Sequence, residues 1–283
     1  MSEEEKQAAV EIDKYFWMIT EAKYDQLRTI SGCEELTDLN ATITDGEHII
    51  ELANQFGIPE DNRFIDISPT MAVLKKTYMT LLKLSRKLSG EGKPHVIFVY
   101  IGGHGATQSE KQIYLLNSET PNGAMFQIEY KLRYLTNDPT SCARIFGVFD
   151  CCRVPLKNMP GLTSGRGVGG QDSEGDETED DAPNKYFHLQ ACGPGGIADA
   201  DGGFAKKLLT TCAKYAGKNP KGFMWWPTDF TKSKWAPGEI SLSGGEPYLI
   251  PFGQQAVMEA QETVQTTQGQ EESKEPNGKT IPD

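Results

Sequence analysis

Apolar runs rich in β-branched and aromatic residues recur at YFWMI (15–19), RFIDI (63–67), HVIFVYI (95–101), RIFGVF (144–149), YFHLQA (186–191) and PYLIP (247–251). Each reads as a strand, and several are apolar without alternation, as in strands covered on both faces. Between them the apolar positions take helical spacing. DGEHIIELANQF (45–56) carries them at 49, 50, 53 and 56, MAVLKKTYMTLLKLSRKL (71–88) at 74, 78, 81 and 82, and FAKKLLTTCAKYA (204–216) at 204, 208, 209 and 212. IEYKLRYL (128–135) is a fourth candidate. Strands alternating with helices predict an α/β fold, a three-layer sandwich with a mostly parallel central sheet flanked by helices. Ligands of such sheets gather at the carboxyl ends of the strands.

Two stretches break the pattern. Residues 157–184 are rich in Gly, Ser, Asp and Glu without apolar periodicity and read as a long mobile loop, and the tail 256–283 reads as disordered. The expected organisation is an N-terminal extension (1–13), one folded domain (14–255) interrupted by the acidic segment, and the tail. Those segments also explain the formal charge of −12: QDSEGDETEDD (171–181) carries −7 and residues 254–283 carry −4, leaving −1 for the rest. A nearly neutral body argues against a nucleic-acid partner. The opening MSEEEKQAAVEIDK is acidic, and no apolar run reaches the ~18 residues of a membrane helix, so a soluble cytoplasmic protein with no membrane partner is expected. Cys33, Cys142, Cys151, Cys152, Cys192 and Cys212 are scattered, without CxxC or HxxxH spacing. Reduced thiols and no zinc site are expected.

Two strand ends carry candidate chemistry. HVIFVYI runs straight into Gly102, Gly103, His104 and Gly105. A His at the end of a parallel strand stands where catalysis is expected, and its glycines let a substrate backbone come close, although a His capping a turn would leave the same short motif. RIFGVF delivers Asp150, Cys151, Cys152 and Arg153. Free cysteines are often small core residues, but a neighbouring Asp and Arg are rarely buried unpaired, so this strand end should open into a cleft. His104 precedes Cys152 by 48 residues, near the spacing of about 50 between His and nucleophilic Cys in caspases.

On YIGGHG, the hairpin-like QIYLLN (112–117), VFDCCR and FHLQACGPGGIADADGGFAKKLL (187–209), the chain resembles the caspase-like cysteine peptidases. Within them it is similar to metacaspases, paracaspases and bacterial orthocaspases more than to animal caspases. The resemblance spans about residues 15–252 and implies a caspase-like sandwich, with a large-subunit part (14–156), a linker (157–184) and a small-subunit part (185–255). It implies a cysteine endopeptidase. A thiol of free pKa about 8.5 is only a few per cent thiolate at neutral pH, so a neighbouring imidazole must generate the nucleophile. Cys152 is expected to attack, with His104 as general base and then as acid to the leaving amine. The family geometry implies an oxyanion hole from the backbone amides of Gly105 and Cys152, and no third side chain. Its Asp-x-Cys pattern selects Cys152 over Cys151, and adjacent side chains at a strand end face opposite ways, so only one can face His104.

DCC stands where animal caspases carry QAC and a basic pocket for aspartate. Asp150 in that place predicts a pocket for a substrate cation. Asp45 resembles the Asp opening the first helix of metacaspases and paracaspases, though Asp also suits a helix N-cap. Asp199 resembles the acidic position of the small-subunit loop, though it also suits a turn beside Gly195 and Gly196. Together they predict protein or peptide substrates cut after Arg or Lys. Metacaspases use calcium and carry a run of aspartates after the catalytic His, whereas GGHGATQSEKQIYLLN holds only Glu110. Calcium finds no support there, so no metal or cofactor is expected, and the resemblance tilts towards paracaspases and orthocaspases. Residues 171–181 also lack the spacing of a calcium loop. The acidic segment takes the place of the inter-subunit linker, and Lys157, Arg166 and Lys185 around it are candidate sites of self-cleavage. The alternative is a catalytically silent scaffold that binds proteins, but its simple signature, loss of His104 or Cys152, is missing. A nucleotide-binding domain would need a GxGxxG or GxxxxGK loop, which the chain lacks. His48, His95 and His188 read as structural or exposed, and Trp225 and Trp226 as core or groove wall.

Overall fold

Strands that are apolar at every position need cover on both faces, and this chain supplies it with two pairs of helices. The computed structural model describes residues 12–108, 111–137, 140–163, 186–192, 203–218, 223–225, 242–243 and 249–251. In chain order the elements are β1 (Asp13–Thr20), α1 (Ala41–Gln55), β2 (Arg63–Ile67), α2 (Met71–Gly90), β3 (His95–Gly103), β4 (Gly105–Gln108), β5 (Lys111–Leu115), α3 (Pro121–Ala124), β6 (Met125–Phe126), α4 (Ile128–Tyr134), β7 (Ala143–Cys151), β8 (Val154–Pro155), α5 (Pro160–Thr163), β9 (Tyr186–Gln190), α6 (Gly203–Lys218), β10 (Phe223–Trp225), β11 (Leu242–Ser243) and β12 (Leu249–Pro251).

The central sheet has six strands in the order β11-β9-β7-β3-β1-β2. All neighbours are parallel except β11, which runs antiparallel to β9 at one edge. Period-two alternation divides the strand residues between two cores. Phe16, Met18, Phe98, Tyr100, Phe146, Val148 and Leu189 pack with Ile49, Leu52, Ala53 and Phe56 of α1 and with Phe204, Ala205 and Leu208 of α6. Their neighbours Tyr15, Trp17, Ile97, Val99, Ile101, Ile145 and Phe149 pack with Leu74, Tyr78, Leu81 and Leu82 of α2 and with Ile128 and Leu132 of α4. This is the expected three-layer α/β sandwich. On the edge strand, the Trp17 indole donates to Asp66 at 2.8 Å and ties β2 to β1.

Three features differ from the expectation. Helix α1 begins at Ala41, upstream of the predicted 45, because its first buried positions are Thr42, Asp45 and Gly46, which carry no apolar signal. The 247–251 run supplies β12, which pairs with β10 in a separate two-stranded sheet. Residues 157–163, the start of the segment read as a mobile loop, are structured: Met159 and Leu162 are buried, and the Gly161 amide donates to the Ser31 carbonyl at 2.7 Å. They belong to a third core under a second sheet of order β6-β5-β4-β8.

Two of the histidines read as structural are core residues. His95 is bracketed by the Lys93 carbonyl at 3.0 Å and the Ser85 hydroxyl at 2.9 Å. His188 packs its ring against Tyr186 and Phe149, and burial pushes its imidazole down to about 4. Because the folded pKa lies below the unfolded one, the unfolded chain binds more protons between those values, and stability falls as pH drops from about 6.5 towards 4. The contribution of His188 is about 3 kcal/mol. Urea unfolding at pH 7 and pH 4.5 should show a smaller acid loss in His188→Gln than in the wild type, and equal losses would contradict this.

Candidate active site

The chemistry-bearing residues lie where the two sheets meet. In the parallel pair β3–β7 the register runs to Gly102↔Asp150 and Gly103↔Cys151, an offset of 48. The second sheet then resumes a parallel pair, β4–β8, with Ala106↔Val154 and Thr107↔Pro155, again an offset of 48. His104 is the single residue between β3 and β4, and Cys152 is the first residue past β7. The two chains leave one sheet and enter the other side by side, so the unbroken offset sets His104 opposite Cys152 at the crossing. Neighbouring strands are about 4.8 Å apart, which keeps the two residues adjacent.

Glycine is required on both sides of His104. Gly103 has φ 148°, and a Cβ there would lie 2.5 Å from the Tyr24 hydroxyl. A Cβ on Gly105 would lie 2.7 Å from the Cys152 carbonyl oxygen and would also strike the Gln112 amide. Leu115 N–H donates to the His104 carbonyl at 3.0 Å, which makes Gly105↔Tyr114 a non-hydrogen-bonded pair. The Gly105 amide therefore turns away from β5, towards the chain that follows Cys152.

The half-buried imidazole of His104 is held from the loop after β1. Its Nε2 lies 2.8 Å from the Thr37 carbonyl, its backbone N–H donates to the Tyr24 hydroxyl at 2.7 Å, and its ring meets the Tyr24 ring at 4.5 Å. A carbonyl only accepts, so in the neutral ring Nε2 carries the proton and Nδ1 keeps its lone pair. Burial lowers the His104 pKa, the Thr37 bond opposes that, and the ring is neutral at pH 7. Thr37 is itself fixed by its neighbour. Asp38 accepts from Lys23 at 3.0 Å, Arg28 at 3.0 Å and the Tyr24 amide at 3.1 Å, and its hydrogen bonds to Lys23 and Arg28 hold the carboxyl down at about 2.

Cys151 and Cys152 occupy different environments. Cys151 is 1% exposed within the α2-side core, and burial pushes its thiol well up. Cys152 is half-buried, and its carbonyl accepts from Gln112 Nε2 at 3.0 Å. Asp150 accepts from the Tyr100 hydroxyl at 2.9 Å. Asp45 is 4% exposed and lies inside α1, with Asn40 at the N-cap position, so the capping role open to it in sequence does not apply. Tyr100 is buried on the α1 side of the sheet, and its phenol is held well above 10 by burial first and then by the charges of Asp150 and Asp45. That hydroxyl lies over Gly102, where a Cβ would come within 3.0 Å of it. Lys157 is exposed in a 3-10 turn, while Asp199, Arg166 and Lys185 fall outside the described residues.

Thr37, Tyr24 and Gln112 had no sequence signal. They act through a main-chain carbonyl, a phenol 80 residues from His104 and an amide 40 residues from Cys152, none of which forms a local motif. Among the described residues no group of three or more His, Cys, Asp or Glu side chains is arranged to hold a metal ion, and no helix is long and apolar enough to cross a membrane.

No protein-family model matches the chain, and no curated protein matches it in sequence. Among solved structures it is similar to caspase-1 from Spodoptera frugiperda, with 12% identity and a TM-score of 0.47 over 73% of this chain and 70% of that one.

Thiol reactivity separates the cysteines. Iodoacetamide followed by peptide mapping should label Cys152 well before Cys151, Cys192 or Cys212, whose thiols burial pushes up. Preferential labelling of Cys151 would reverse the assignment of the accessible thiol.

Proposed function

We propose that the protein is a cysteine endopeptidase that cuts protein chains after Arg or Lys, with Cys152 as nucleophile and His104 as its base. The observation that supports the reading is the offset of 48 shared by β3–β7 and β4–β8, which brings positions 104 and 152 to the same level of two neighbouring chains. His104 Nδ1 takes the thiol proton as sulfur attacks the scissile carbonyl. The oxyanion is received by the amides of Gly105 and Cys152. When the intermediate collapses, the proton passes to the leaving amine, and water, deprotonated by the same nitrogen, hydrolyses the thioester. Because burial lowers the His104 pKa, the base stays neutral at pH 7, and the acid limb of kcat/KM falls below the ordinary histidine value near 6.5.

Asp150, which accepts from Tyr100, and Asp45, whose charge acts on the same phenol, support a preference for a cationic side chain, with Asp199 as a further candidate. A desolvated carboxylate without a cation is costly, so a basic residue is selected and an acidic one repelled. Lys157, Arg166 and Lys185 then become sites where the enzyme cuts its own chain around the acidic segment.

Fluorogenic peptides ending in Arg, Lys or Asp, assayed with and without calcium, test the reading. The wild type should cleave the Arg and Lys peptides without needing calcium, and Cys152→Ala should lower the rate about a thousandfold or more. Cys152→Ala with full activity, or a preference for Asp, would contradict it. Asp150→Asn should reduce kcat/KM on the basic peptides by roughly 30-fold or more, the scale of a truncated desolvated charge pair, and leave alkylation of Cys152 unchanged. Replacing Lys157, Arg166 and Lys185 together should abolish any self-cleavage seen by intact mass, and persistence of the same cuts would remove these sites from the account.

A further inference from the structure

We infer that Gln112 is a positioning residue that holds the backbones of Cys152 and Gly105 in reacting geometry, an inference that rests on the peptidase reading. Gln112 is 1% exposed on β5. Its Nε2 donates to the Cys152 carbonyl at 3.0 Å and to the Ile113 carbonyl at 3.3 Å. Both partners only accept, so the nitrogen and not the oxygen must face them. The same nitrogen is what a Cβ on Gly105 would strike. One amide group thus hydrogen-bonds the backbone of Cys152 and fills the space beside the Cα of Gly105.

The hold has a reason in the topology. Strand pairing stops at Gly103↔Cys151 and resumes at Ala106↔Val154, so the ladder skips Cys152. The hydrogen bond to its carbonyl holds the Cys152–Arg153 peptide and, through it, restrains the Cα that carries the thiol. Gln112 is itself anchored: its backbone N–H donates to Glu129 at 2.8 Å, and Glu129, 3% exposed, accepts from Arg133 at 2.8 and 3.1 Å. Helix α4 is in this way connected to the nucleophile. The Gln112 side-chain oxygen is buried with no hydrogen-bond partner among the described residues. An apolar side chain would avoid that cost, and the donor function of the nitrogen accounts for its being tolerated.

Two variants test this. Gln112→Met keeps the length and removes the donor, and kcat on Arg and Lys peptides should fall about ten- to a hundredfold with KM within about twofold. Alkylation of Cys152 by iodoacetamide should slow several-fold in parallel. In Gln112→Glu a protonated carboxyl can still donate to the Cys152 carbonyl, whereas the ionised form faces two carbonyl oxygens. Its kcat should therefore drop with rising pH through that ionisation, a limb the wild type lacks. A Gln112→Met enzyme with kcat within about twofold of wild type, whatever its Tm, or a Gln112→Glu profile of wild-type shape, overturns the proposal. If Gln112→Met does not fold, the pH profile of Gln112→Glu decides. Should the wild type cleave no peptide and match Cys152→Ala, the peptidase reading fails on its own. Alkylation then decides for Gln112: slower labelling of Cys152 supports the hold, and an equal rate overturns it.

Discussion

The parallel pairing of β3 with β7, carried without slippage into β4 and β8, is the constraint on which the site depends. One register governs two sheets, and His104 and Cys152 are the residues at which the chains pass from one to the other. A slip of a single residue in a parallel ladder would turn every side chain to the opposite face, exchanging the environments of Cys151 and Cys152 and moving Asp150 away from Tyr100. The two cores resist that slip, because each strand buries a different set of side chains on each face.

Around this crossing the surroundings set the state of each group. Burial keeps the His104 ring neutral, and the Thr37 carbonyl selects which nitrogen holds the proton. The loop carrying Thr37 is stiffened by Asp38, whose partners Lys23, Arg28 and the Tyr24 amide come from the start of that loop. Tyr24 links the two functions, since its hydroxyl accepts from His104 and donates to the Glu21 carbonyl at 3.3 Å. Cys151 is committed to the core and Cys152 is not, a division that period-two alternation imposes on adjacent residues at a strand end.

The sandwich was largely legible in the sequence because its strands are continuously apolar and its helices amphipathic. Helix α1 begins four residues before the apolar pattern does, since Thr42, Asp45 and Gly46 occupy a buried face without apolar side chains. The spacing of 48 residues was visible, but its meaning as one register shared by two sheets required the strand pairing. Gly103 and Gly105 were readable as glycines with a purpose, while the atoms they make room for, the Tyr24 hydroxyl and the Cys152 carbonyl, were not. Gln112 looked like one polar position of a hairpin. Only its burial and its two carbonyl partners distinguish it from an exposed strand residue.

The central claim, that Cys152 is a nucleophile driven by His104, is tested most directly with a peptidyl-arginine chloromethyl ketone, from which an attacking thiolate displaces chloride to leave a stable thioether. Mass spectrometry of the treated protein should find one adduct, on Cys152, forming faster than with the aspartate analogue and strongly slowed in His104→Ala. An adduct on Cys151, or labelling of Cys152 at the same rate without the imidazole, would contradict the account.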